Sequence, residues 1–179
     1  MFSNKALKKL ILPLVIEQIL IMAVGVADTV MVSYAGEVAI SGVGLVDMFN
    51  NLIITVLAAI DAGGAIIVSQ YIGNKDRKNA NKASSQLLTI TIVIATVIML
   101  GCLVFHRIFL STFFGAIEMD VMKAATTYFL ISAISFPFLG VYNSAAALYR
   151  SMEKTRTTMY VSILMNIINV CLLYTSPSP

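Results

Sequence analysis

Charge is what this sequence has least of. Charged residues make up 12% of its 179 positions and hydrophobic ones 59%, against about 25% and about 45–50% in an ordinary soluble domain. That excludes a water-solvated globular surface and points to a polytopic membrane protein. Histidine is nearly absent. His106 stands alone, at the outer end of an apolar run, so neither a His/Glu metal set nor a Ser–His pair can converge at membrane depth, which argues against a membrane-embedded enzyme. The two cysteines, Cys102 and Cys171, both sit in apolar runs without metal or redox spacing and read as small packing residues. No basic patch lies on a soluble face, so the net charge of +3 does not imply nucleic acid. Nothing in the sequence calls for a cofactor.

What is present is a series of long apolar runs at about 10–34, 40–72, 85–105, 121–149 and 157–173. The first is roughly 25 residues long, enough for a helix to cross a bilayer with some tilt. It is too long for a signal-peptide core and carries two acids, so it reads as an uncleaved span. The connections are short, which favours antiparallel neighbours in one bundle. The fold class expected is therefore all-α, a polytopic membrane bundle of five transmembrane helices. Lys5, Lys8, Lys9, Lys75, Arg77, Lys78, Lys82, Arg150, Lys154 and Arg156 fall on one side of it, with only Arg107 and Lys123 on the other. The positive-inside rule then puts the N-terminus in the cytoplasm; the location expected is the cytoplasmic (inner) membrane. Residues 174–179, Tyr-Thr-Ser-Pro-Ser-Pro, stop the last run abruptly and read as a non-native tail.

The first span holds Glu17 and Asp28. A charge at membrane depth costs about 2.5–3.5 kcal/mol on insertion scales, so it belongs on a protein interior or a wet cavity. On a helix the two lie within roughly 20° of one another and about 16 Å apart along the axis, which makes one face acidic. Glu17 lies near the cytoplasmic end, where it could snorkel or pair with Lys9. In the second span Asp47, Asn50, Asn51 and Asp61 cluster within about 60°. Asp47 also reads as a solvated residue near the outer interface. The pair Gly63–Gly64 leaves room for a backbone to approach. In the fourth, Pro137 should kink the helix, with Tyr142 and Asn143 beyond it. In the fifth, Thr158, Ser162, Asn166 and Asn169 share a face. Each asparagine serves equally as cavity wall or as hydrogen-bond glue between helices. Glu17, Asp61, Asn50, Asn51, Tyr142 and Asn143 are the candidate cavity-lining residues, and Met22, Met31 and Tyr149 further candidates for the wall.

The order of the pieces carries more than any one of them. A proline-bearing first span ends in VADTVMV; GVGLVDMFNN follows, then SQYIGNKDRKNANKA, SFPFLGVYNSAAALYRSMEKTRTTM and MNIINV. Together they resemble the N-terminal part of the multidrug and toxic compound extrusion (MATE) transporters, from Leu10 to Asn169. The resemblance implies two six-helix lobes, with residues 1–173 supplying five helices of the first and the C-terminal lobe missing. It further implies export of organic cations or drugs in exchange for H⁺ or Na⁺, with Asp28 as the first-span coupling aspartate and Asn169 as the fifth-span asparagine of the same site. The family carries an acid or amide one turn later, where this chain has Leu173.

A carboxylate in a poorly hydrated cavity gains by taking up a proton. Alternatively, Asp28 with Asn166 or Asn169 offers hard oxygen ligands to Na⁺, the one metal ion anticipated. The expected partners are the lipid bilayer, a small organic cation and the second lobe. Two alternatives stand beside this: a flippase for lipid-linked oligosaccharides, whose cavity should be strongly cationic, and a non-transporting membrane fragment or subunit, poorly stable and inactive in isolation because its polar faces meet lipid.

Overall fold

The structure, a computed structural model, describes residues 4–115 and 117–175. Five helices follow in order: α1 (Asn4–Tyr34), α2 (Glu37–Gly73), α3 (Arg77–Phe114), α4 (Met119–Ser151) and α5 (Thr155–Thr175). No strand occurs among the described residues. Within α1 the segment Ile11–Tyr34, and α2, α3 and α4 in full, are long and apolar enough to cross a membrane. The 21 residues of α5 add a fifth helix with a more polar face. At about 1.5 Å per residue, the 37 residues of α2 and 38 of α3 extend beyond a hydrocarbon core of about 30 Å. Helix α5 runs through Tyr174 and Thr175; the remainder of the proposed tail, 176–179, lies outside the described residues. Helix α4 continues through Pro137.

The joints are short because each helix is stopped by local chemistry. Gly36 (φ +96°) turns α1 into α2. At the ends of α2 and α4 the same device recurs, with Lys75 and Glu153 both at φ 59°. Asp76 N donates to Tyr71 O and Lys75 N to Ile72 O; likewise Lys154 N donates to Tyr149 O and Glu153 N to Arg150 O. These paired bonds satisfy the last carbonyls of each helix, the Schellman arrangement. Asp76 then caps α3, its carboxylate accepting from Asn79 N at 3.1 Å and Asn79 Nδ2 at 2.7 Å. Those bonds hold the Asp76 carboxyl below the usual carboxylate range, the backbone N–H of Asn79 contributing most.

Helices α2, α3 and α4 pack tightly on one another, whereas α1 packs chiefly on α5 and only lightly on α2. The core of the trio includes Val46, Ile53, Leu57, Ala95, Phe129, Ala133 and Phe136. Phe49 is ringed by Phe109, Phe113 and Phe129 at centroid distances of 5.7, 5.8 and 5.2 Å, a geometry that favours tilted and edge-on aromatic pairs. Glycine permits the closest approaches, at Gly64 of the pair expected to do so and at two positions outside it. A Cβ on Gly42 would lie 2.9 Å from Ala125 N, and one on Gly140 would lie 3.2 Å from Thr91 Cγ2. Gly64 admits the side chain of Leu87 from α3 rather than a backbone, and Gly63 faces open space. Outward-facing Leu, Ile, Val and Phe cover the exterior, as a lipid-facing surface requires.

Candidate functional site

The light contact between α1 and α2 leaves a cavity of about 720 Å³ between α1, α2 and α4. Asp28 and Thr29 line it from α1, Asp47, Asn50 and Asn51 from α2, and Tyr128 and Ser132 from α4. The period of α2 puts its three polar residues on one wall, as the sequence indicated. Asp28 is exposed at this wall, and Asn169 Nδ2 of α5 reaches its Oδ1 at 3.4 Å. The Oδ1 atoms of Asn169 and Asn50 are buried without a hydrogen-bond partner among the described residues, so two amide oxygens are free to accept. Asp47 is no solvated bystander. The Tyr128 hydroxyl donates to its Oδ1 at 3.0 Å, fixing α4 to α2 beside the cavity. Asn166 turns its amide N–H to Ser162 O of its own helix at 2.8 Å. Met31 lines the cavity, whereas Met22 points outward.

The other expected polar residues gather in two further places. Glu17, 1% exposed, lies between α1, α4 and α5. Thr158 Oγ1 donates to its Oε2 at 2.8 Å and Arg150 Nη1 to its Oε1 at 3.3 Å; the side chain of Lys9, the partner expected, lies outside the described residues. Tyr142 OH lies 3.3 Å from Ser162 Oγ, and Tyr142 and Tyr149 line a small recess of about 80 Å³ between α4 and α5. Asp61, also 1% exposed, is joined to α3 by Thr91 Oγ1 at 2.9 Å and to α4 by Ser144 Oγ. It lines a separate cavity of about 430 Å³ with Asn143 and Arg150. Sequence reasoning missed Thr91, Ser144 and the pairing role of Arg150. Single hydroxyls in apolar runs give no local sign of a partner 30 or 83 residues away.

Apolar spans, a lipid-compatible exterior and carboxylates held inside the bundle define a multi-pass membrane protein. The MatE family model matches residues 13–175, and the chain belongs to that family of transporters. The uncharacterized transporter YisQ of Bacillus subtilis is 28% identical over 179 residues, covering 94% of this chain and 39% of its own length. The probable multidrug resistance protein NorM of Thermotoga maritima is 30% identical over 174 residues, 96% of this chain and 36% of its own. Among solved structures, an outward-facing multidrug resistance MATE family transporter of the MOP superfamily matches with TM-score 0.87 at 20% identity, over 94% of this chain and 37% of that one. The chain thus spans little more than a third of the length of the relatives it matches.

Proposed function

We propose that this chain is the cation-coupling part of a secondary active antiporter that exports organic cations or drugs across the cytoplasmic membrane in exchange for H⁺ or Na⁺. The observation that carries the reading is the meeting of Asp28 with Asn169 at the wall of the 720 Å³ cavity. An acid and an amide oxygen without a partner make a hard-ligand site that a proton or Na⁺ can occupy in turn. The same cavity presents Asp47 and Tyr128, which suit a flat cation through charge and cation–π attraction. No basic residue is among those that line it, which favours cations over the pyrophosphate of a lipid-linked oligosaccharide. Transport rather than catalysis is the role assigned, with no cofactor beyond the coupling ion.

In this reading the N-terminus is cytoplasmic, following the ten basic residues on that side, and a second lobe completes the substrate path. The test is efflux of a fluorescent organic cation by the full-length parent, driven by a proton or Na⁺ gradient. Asp28→Asn should lower gradient-driven efflux at least tenfold while leaving the amount of protein in the membrane unchanged. Undiminished coupled efflux would reject Asp28 as the coupling residue.

A further inference from the structure

Asp61 sits between Ile60 and Ala62 and is held from α2 to both α3 and α4. Its two carboxylate oxygens have unlike surroundings. Oδ1 accepts from Thr91 and Ser144, hydroxyls that are themselves 0% exposed. Oδ2 is equally buried and has no hydrogen-bond partner among the described residues. A carboxylate removed from water with one oxygen bare is costly, and the cost falls when that oxygen acquires a cation. The residue lines the 430 Å³ cavity, whose other polar groups are Ser69, Asn143, Ser151 and Arg150. Of the elements packed on Asp61, α4 brings one ionisable group to this cavity, Arg150, whose guanidinium is engaged by Glu17 of α1 at 3.3 Å. Helix α3 brings the neutral Thr91.

We propose that Asp61 is a second monovalent-cation site, taking a proton or Na⁺ at Oδ2, separate from the site at Asp28. Thr91 and Ser144 hold Oδ1 and aim the other oxygen; the incoming cation neutralises the buried charge and leaves Arg150 to Glu17. This site stands whether or not Asp28 couples transport, because its test reads occupancy and not efflux.

The experiment is infrared spectroscopy of the full chain in lipid nanodiscs, in H₂O and D₂O, with Na⁺ then added in place of K⁺ at fixed pH. A proton on Asp61 gives a protonated-carboxyl band that moves in D₂O, vanishes in Asp61→Asn and survives in Asp28→Asn. If Na⁺ is the cation, adding it abolishes that band or shifts the carboxylate bands, and Asp61→Asn loses the response. Spectra and Na⁺ response identical in Asp61→Asn and the unaltered chain would overturn the proposal. Should Asp61→Asn fail to fold, Thr91→Val and Ser144→Ala decide, since each removes one donor to Oδ1 and retains the acid. Each must move the band, or the Na⁺ response, away from that of the unaltered chain; indifference to both overturns the site.

Discussion

Breaking the Glu17–Arg150 pair should have unequal effects from its two ends. The side chain of Glu17 is 2% exposed and that of Arg150 is 36% exposed. In Glu17→Ala the freed guanidinium can swing its head to water on its flexible stem, and Thr158 keeps the Thr155 carbonyl at 2.9 Å. The loss is then one charge-assisted hydrogen bond and a half-screened ion pair, about 2 kcal/mol in all. In Arg150→Ala the buried carboxylate keeps, among the described residues, only the Thr158 hydroxyl, and stranding a buried charge costs about 3–5 kcal/mol. A double-mutant cycle should return a coupling of about 3–5 kcal/mol, since removing a guanidinium already freed to water adds little to the cost of Glu17→Ala, and this should be little altered by salt because Glu17 is shielded from solvent. Unfolding of the chain in mixed micelles by titrated dodecyl sulfate supplies the four free energies. A larger loss in Glu17→Ala than in Arg150→Ala, or a coupling below about 0.5 kcal/mol, would refute this reasoning, since exposed pairs behave in that way.

Two further outcomes follow from packing and capping. A methyl on Gly42 must displace the backbone at Ala125 N, 2.9 Å away, whereas one on Gly44 meets nothing within 4 Å; Gly42→Ala should destabilise by about 1–3 kcal/mol in the same unfolding assay, and Gly44→Ala should be neutral or mildly stabilising. The Asp76 carboxyl is held below its ordinary range in the folded chain, so its cap stabilises above the unfolded-state value of about 3.9 and fades as pH falls through the lower native value. Melting temperatures of the unaltered chain and of Asp76→Ala should therefore differ most near neutrality and converge in acid; a gap that stays constant down to pH 3 would exclude the cap as its source.

The helices were legible because their apolar runs are long and their ends carry turn chemistry. The polar face of α5 was legible for a related reason: Thr158, Ser162, Asn166 and Asn169 recur at helical spacing, and three of them turn toward other helices, to Glu17, Tyr142 and Asp28. What could not be read is which helix each face meets. Arg150 reads from sequence as one of many topology-setting cations, and only the fold, which brings the C-terminal end of α4 within side-chain reach of α1, makes it the partner of Glu17, 133 residues away. Asp47 seemed solvated because nothing nearby in sequence holds it; Tyr128, 81 positions on, does so. Of the doublet Gly63–Gly64 only Gly64 meets a neighbour, and Gly42 and Gly140 do so without any mark in the sequence, because close approach depends on which side of the helix a neighbour lies.

The attachment of α1 to α5 has a consequence for how the protein is made. Glu17 meets Thr158, and Asp28 meets Asn169, across 141 residues in each case. At translation speeds of about 5–20 residues per second, roughly 7–28 s separate the synthesis of α1 from that of its main partner. Throughout that interval two carboxylates wait at membrane depth without their hydroxyl or amide, each at an insertion cost of about 2.5–3.5 kcal/mol. The trio α2–α4 completes itself from consecutive segments in the meantime. Helix α1 is therefore the part of the nascent chain with most to gain from being sheltered by the insertion machinery, and it docks last although it is made first of the five.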